Sequence, residues 1–155
     1  MELCVKEMTC SDYDAFAVML VELNNYHAEG RPDLFIKTED VIYTKEKFEK
    51  MINDPNYVML MAYADEKKVG FAITVIKEKL VMVTHKNGIM EELFVDREYR
   101  RRGIGRLLYN ETVERLNKKG IDRLMLTVWS LNPDAIRFYR ALNMNVQRFV
   151  MEQEI

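Results

Sequence analysis

Residues 95–108 read Val95-Asp96-Arg97-Glu98-Tyr99-Arg100-Arg101-Arg102-Gly103-Ile104-Gly105-Arg106-Leu107-Leu108, and this stretch decides the fold. It begins at the end of an apolar run, Ile89 to Val95, that reads as a strand. It then passes through a loop with three consecutive arginines and two closely spaced glycines. Beyond the loop, Ile104, Leu107, Leu108, Thr112, Arg115 and Leu116 fall on one side of a helix. A helix start leaves backbone N–H groups without intrahelical partners, and the aligned peptide dipoles concentrate partial positive charge there. Glycines let an anion approach those N–H groups, and flanking arginines add charge-assisted hydrogen bonds. The stretch therefore predicts a site for a diphosphate-bearing cofactor.

Downstream, Gly120 stands where a helix C-terminal cap glycine belongs, and Arg123 to Val128 reads as the next strand. A strand–helix–strand crossover of this kind makes its two strands parallel. Asn132-Pro133-Asp134 starts a last helix carrying Ala135, Ile136, Tyr139 and Leu142, and Val146 to Gln153 is expected to close the chain as a strand. Upstream, Tyr57 to Ala64 and Val69 to Ile76 flank the polar Asp65-Glu66-Lys67-Lys68 and predict an antiparallel hairpin with a four-residue loop. Its continuous hydrophobicity calls for cover on both faces. Lys77 to Gly88 stays open, since Leu80, Val81, Met82 and Val83 read equally as a short strand or as a loop with apolar anchors.

At the N-terminus, Leu3 to Met8 predicts a strand, and Ser11 with Asp14 three places on predicts a helix cap. Tyr13, Phe16, Ala17, Leu20, Leu23, Asn24 and His27 form one buried stripe of that helix, which Gly30 and Pro32 end. Thr44 to Asn53, with Phe48, Met51 and Ile52 at helical spacing, predicts a second helix before the turn Asp54-Pro55-Asn56. The expected architecture is α/β: a single domain over residues 1–155, with a mixed sheet of about six or seven strands flanked by helices.

Composition narrows the function classes. With 155 residues and 48% hydrophobic content the chain is sized for one buried core. Its 23 basic and 25 acidic side chains give a formal net charge of −2. Such a balance does not call for nucleic acid as the partner, so the arginine cluster needs a local explanation. Cys4 and Cys10, with only His27 and His85 as further soft ligands, lack metal-site spacing and predict no metal; both cysteines are read as reduced and packed. A basic region leading a long apolar run is missing from the first residues, and no apolar run approaches the roughly 20 residues of a membrane span. The expectation is a cytoplasmic protein without membrane contact.

Spacing also separates the phosphate-loop readings. A Walker loop needs Gly, four residues, then Gly-Lys-Ser/Thr, and no such string occurs. A dinucleotide fingerprint needs a third glycine where this chain has Leu108. What remains, Arg100-x-x-Gly103-x-Gly105 between strand and helix, resembles the Gln/Arg-x-x-Gly-x-Gly/Ala signature of the GNAT N-acetyltransferases. Two further features carry the resemblance. Glu91-Glu92-Leu93-Phe94-Val95-Asp96 is similar to the family's central strand, and residues 132–142 are similar to its Asn-x-x-Ala-x-x-Phe-Tyr element. The resemblance covers most of the chain from Tyr57 onward. One departure is Asn143-Met144, where the family commonly has glycine and an aromatic; asparagine tolerates the left-handed conformation such a cap needs.

The resemblance implies the GNAT-like acyl-CoA N-acyltransferase fold, and acetyl-CoA as co-substrate with no metal. The pyrophosphate would be held by backbone N–H groups of Arg101, Arg102, Gly103, Ile104, Gly105 and Arg106, with arginine side chains including Arg100 in support. The pantetheine arm would lie along the main chain of Phe94 and Val95, with Asn132 near the active centre, although Asn132 also reads as the cap of the last helix. Acetyl transfer to an amine needs a base and an acid. The resemblance points to Tyr139 as the acid; adjacent strand residues point to opposite faces, so only one of Glu91 and Glu92 is expected to face the site, and the resemblance to polyamine-type members favours Glu91 as the base. Glu92, His27 and Arg31, with residues 32–35, are assigned to the acceptor. The expected partner is a small-molecule primary amine, polyamine-like or amino-sugar, with a protein N-terminus or lysine, or a non-catalytic acetyl-CoA sensor, as alternatives. An RNA-binding module lacks the aromatic motif it would need. Homodimers are common in the resembled family.

Overall fold

The computed structural model describes residues 1–81, 83 and 86–155. In chain order the elements are β1 (Leu3–Glu7), α1 (Tyr13–Gly30), α2 (Lys45–Ile52), β2 (Tyr57–Ala64), β3 (Lys67–Glu78), β4 (Lys86–Val95), α3 (Ile104–Lys118), β5 (Leu124–Leu126) and α4 (Pro133–Arg140). Single 3-10 turns at Cys10–Asp12 and Arg97–Tyr99 precede α1 and α3. The strands form one sheet in the order β1-β2-β3-β4-β5. Every neighbouring pair is antiparallel except β4 and β5, which are parallel as the α3 crossover requires.

The sheet is covered on both faces, which is why β2 and β3 are apolar without alternation. On one face Phe16, Met19 and Leu20 of α1 and Phe48 and Met51 of α2 pack on Met59, Met61, Phe71, Ile73 and Phe94. On the other, Ile104, Leu108 and Leu116 of α3 pack on Val58, Leu60, Ala62, Val69 and Ala72. The helix stripes expected from periodicity are the buried ones, with Thr112 joining the α3 face and bonding back to the Leu108 carbonyl at 2.9 Å.

Several boundaries differ from expectation. The hairpin turn holds two residues, not four: Lys67 and Lys68 pair with Ala64 and Tyr63, and Asp65 takes a left-handed φ of 53° to close the turn. β3 runs on to Glu78 and β4 begins at Lys86, so the ends of the ambiguous stretch belong to strands. Leu80, Val81 and Val83 are exposed and anchor nothing. Met82, Thr84 and His85 lie outside the described residues. Among the described residues the sheet has five strands, fewer than expected. The expected strand at 146–153 is not formed, because that stretch meets no backbone partner, and Phe149, Val150 and Met151 face solvent. Cys10, expected to be packed, is exposed because it opens a solvent-facing turn. No helix among the described residues is long and apolar enough to cross a membrane.

The start of α1 is also capped differently. The reciprocal box forms between Thr9 and Asp12, with Thr9 N donating to Asp12 Oδ2 at 2.7 Å, and not from Ser11. Asp12 is buried and also accepts from Tyr63 Oη at 2.8 Å, while Lys68 Nζ lies 2.8 Å from Oδ1. One carboxylate thus ties the helix start to the hairpin. Burial opposes its charge, but bonds from Lys68, Thr9 and Tyr63 outweigh burial and hold the carboxyl below its ordinary value. Replacing Asp12 with Ala strands the Tyr63 hydroxyl and the Lys68 ammonium, and is expected to lower the unfolding free energy by about 3 kcal/mol in urea titration. Because the folded value is depressed, the gap between wild type and variant is complete above about pH 3.9, the unfolded value, and closes as pH falls below it.

Candidate active site

The site begins with a register shift. Ile73 pairs with Glu92 and Thr74 with Met90, so Glu91 has no counterpart on β3 and forms a β-bulge. On the other side of β4, β5 pairs only from Gly88↔Leu124 to Met90↔Leu126. Beyond Met90, among the described residues, β4 has no strand on that side. The bulge and the parting coincide, and they open a notch along residues 91–95. Asp96 N donates to Val69 O on the β3 side, so alternation turns the amide groups of Leu93 and Val95 toward the notch and those of Phe94 toward β3. Phe94 instead places its ring in the core, stacked on Phe71 with centroids 5.8 Å apart.

The bulge changes the geometry of the two glutamates. Glu92 lies opposite Ile73 and two residues before Phe94, both of which belong to the face covered by α1 and α2. Glu91 reaches Lys77 Nζ at 3.5 Å, and Lys77 shares that face by alternation with Ile73 and Val75. Both carboxylates therefore occupy one face. The expectation that they point to opposite faces fails, because a bulge removes the alternation on which it rests. Burial, with the neighbouring Glu91 charge added, raises the Glu92 carboxyl to about 7.

The arginine loop then turns into α3. Arg100 Nε donates to Val95 O at 2.9 Å, which fixes the loop to the strand end. Tyr99 sits between Lys67 Nζ and the Arg102 guanidinium, 4.8 and 5.3 Å from its ring centre. Arg101 takes φ 63°, and Gly103, the N-cap of α3, takes φ 83° with no side chain to cap the helix. Among the described residues no protein acceptor meets the N–H groups from Arg101 to Arg106. They remain available to an anion, in a conformation that glycine adopts at no steric cost. Phe138 of α4 packs over Gly105 at the start of α3, where a Cβ would stand 3.4 Å from its Cζ, about ordinary contact distance.

α4 opens with Asn132, whose Oδ1 accepts from Ala135 N at 3.0 Å, and Pro133 fills the first turn. The capping role of Asn132 is therefore realised. At the other end Asn143 adopts φ 62°, the left-handed conformation its place after the helix requires, and Met144 N bonds to Tyr139 O at 3.1 Å. Tyr139 lies within electrostatic reach of Glu92. Burial first, then Glu92 and Tyr109, push its phenol up to about 12.

A second cluster borders the notch. The only tryptophan, Trp129, follows β5 three residues after the last pair with β4, and its carbonyl accepts from Asn132 N. Phe35 packs edge-on against it at 5.4 Å, and His27 lies 5.3 Å from Phe35. Burial pushes the His27 imidazole down and favours the neutral ring. The Arg31 guanidinium rests 5.6 Å from the Trp129 ring and bonds both Asp33 and Glu152, at 2.7 and 2.8 Å.

The structure thus brings Glu91, Glu92 and Tyr139 to one notch, with the Arg100–Arg106 loop joined to it through β4 and Phe138. Sequence reasoning missed the bulge, Lys77, Phe138 and Trp129. The doubled carboxylate in an otherwise apolar strand was a sign that alternation breaks there, and a lone tryptophan just ahead of the Asn132 cap was the other signal.

Comparison with known proteins places the fold in a family. The chain is 32% identical over 89 residues to the ribosomal protein bS18 alanine N-acetyltransferase of Salmonella typhimurium, a match covering 57% of this chain and 55% of that one. It thus spans only about half the length of that relative. The BH1408 protein of Bacillus halodurans, in a tetramutant crystal structure, superposes with TM-score 0.88 at 25% identity over 98% of this chain and 99% of that one. The aminoglycoside N-acetyltransferase AAC(6')-Iy, solved with CoA, shares the fold with TM-score 0.77 at 15% identity over 99% and 95% of the two chains. The profile described as the acetyltransferase (GNAT) family matches residues 21–144, well over half of the sequence, and the chain belongs to that family of acyltransferases.

Proposed function

We propose that the protein transfers the acetyl group of acetyl-CoA to a primary amine of a small molecule, polyamine-like or amino-sugar, with both substrates bound together at the notch. The observation that carries this reading is the notch itself, where the Glu91 bulge and the departure of β5 fall together beside the unpartnered N–H groups that lead into α3, with Tyr139 of α4 within electrostatic reach of Glu92. The residues present fit acetyl-CoA. The open edge at Leu93 and Val95 can pair with an amide-bearing arm as an added strand would. The unpartnered N–H groups from Arg101 to Arg106 suit its diphosphate. When bound, acetyl-CoA supplies an activated acyl carbonyl and a thiolate leaving group.

The residues of the chain would then manage protons. Glu92 is placed to take one from the acceptor ammonium, directly or through water. From an amine near pKa 10 to an ordinary carboxylate, that transfer is uphill by roughly 7–8 kcal/mol; to a carboxyl at about 7 it is uphill by about 4. Burial of Glu92 therefore removes close to half of the mismatch, and for this reason we assign the base to Glu92 in preference to Glu91. Tyr139 keeps its proton throughout the neutral range and holds it at Oη for delivery to the departing sulfur.

Support for a small acceptor comes from the rim. Arg31, just after α1, bridges to Glu152 in the C-terminal segment, and His27, Phe35 and Trp129 form a run of ring contacts beside it, which would suit a small acceptor better than an open groove. A second reading, acetylation of a protein N-terminus, is favoured by the Salmonella relative, which acts on an alanine of a ribosomal protein. Incubation with acetyl-CoA and a panel of polyamines, amino sugars and alanine-starting peptides, following free CoA, separates them. Release with the small amines alone is the expected result. Saturable CoA binding without release by any amine would leave a non-catalytic sensor.

With an accepted amine, kcat/KM is expected to rise through a group titrating near pH 7. Glu92→Gln should remove that component and lower the rate at pH 8 by about 10²- to 10⁴-fold. Tyr139→Phe is expected to lower kcat by a similar factor while leaving the Kd for CoA within about threefold. Steady-state kinetics and direct binding measurements check both.

A further inference from the structure

Glu91 is left without a part in the chemistry assigned to Glu92, yet the fold holds it there. It is the extra residue of the bulge, and its carboxylate is drawn along the sheet face by Lys77 at 3.5 Å. We propose that Glu91 is a positioning residue whose charge, held by Lys77 on the same face as Glu92, sets the pH at which Glu92 gives up its proton. The inference rests on the reading of Glu92 as the base and adds a tuning pair to it.

The geometry gives this arrangement its logic. In a regular strand, neighbouring carboxylates face opposite sides of the sheet and scarcely interact across it. The bulge places both on the α1–α2 face, where adjacent like charges disfavour joint ionisation. Lys77 has the opposite effect. By pairing with Glu91 it draws that carboxylate toward β3 and offsets part of its charge, so the two residues act in opposition on Glu92.

Among the described residues, the other titratable groups coupled to Glu91 or Glu92 are phenols, which carry no charge in the neutral range. Tyr43, from the segment before α2, is raised by burial and then by Glu92 and Glu91; Tyr139 of α4 has Tyr109 of α3 behind it; Tyr57 of β2 lies beyond Glu91. Glu91 and Lys77 are therefore the charges through which this face acts on the base. Two carboxylates on one face within several ångströms of each other shift one another by on the order of one pH unit at effective dielectric constants between those of water and of a protein surface.

The test follows the Glu92 carboxyl resonance by NMR in ligand-free protein carrying carbon-13 at the glutamate side-chain carboxyls, assigned by its loss in Glu92→Gln. Glu91→Gln is expected to lower the Glu92 midpoint by on the order of one pH unit, and Lys77→Met to raise it by a smaller amount. The titrating limb of kcat/KM should move in the same directions. A Glu92 midpoint unchanged in Glu91→Gln overturns the proposal while leaving Glu92 as the base. If Glu91→Gln abolishes the limb and Glu92→Gln retains it, Glu91 is itself the base, and both readings fall.

Discussion

One extra residue in β4 is the constraint on which the rest depends. A strand continuous from Lys86 to Val95 in unbroken register with β3 would present its residues alternately to the two faces and could pair with β5 along its length. With Glu91 unpaired, the strand bends after Met90, and it is there that β5 departs. The polar edge so exposed would elsewhere be a liability, since unpaired strand amides attract other strands. Here the partly buried edge runs into the start of α3, where Gly105 lies near both Val95 and Phe138. That is the setting in which an extended, amide-bearing ligand replaces the missing strand.

The helix start beside the notch is held by the same chain of contacts. Arg100 spends its Nε on the last carbonyl of β4, so the direction of the strand end sets the direction of the loop. Tyr99, between Lys67 and Arg102, ties that loop to the β2–β3 turn. Phe138 packs over Gly105, which joins α4 to the start of α3. Bulge, loop and last helix form one connected unit, and a change in β4 is carried to both ends of the site.

Much of this was legible in the residues. The apolar run before residue 96, the two glycines and the stripe from Ile104 to Leu116 are local signals, and they map onto β4, the turn into α3 and the buried face of α3. Asn132 and Pro133 announced a capped helix for the same reason. What could not be read were the features that depend on partners. Whether residues 146–153 form a strand depends on an edge to pair with, not on their β-branched content. The two-residue turn at Asp65 and Glu66 follows from the register of Tyr63 with Lys68, which composition does not specify. The bulge is the sharpest case. Glu91-Glu92 was recognised as a pair of candidate bases, but a rule for regular strands sent them to opposite faces, and only the count of residues on β3 against β4 returns them to one.

The notch also sets fold and chemistry against each other. Raising a carboxyl from its ordinary value to about 7 means the folded chain binds that proton more tightly than the unfolded chain. The native state accordingly loses stability as pH rises from about 4.5 to about 7, by roughly 3 kcal/mol in all, and the loss is complete above that range. A fold with a few kcal/mol to spare can carry such a cost only if it gains elsewhere. The phenylalanine and methionine layer of Phe16, Phe48, Phe71, Met59 and Met61 beneath α1 and α2 is placed to supply that gain. The same layer contributes to the burial that raises Glu92, since Ile73 and Phe94, its neighbours on the sheet, belong to it. The apolar packing that stabilises the sheet thus also makes the Glu92 carboxylate a stronger base.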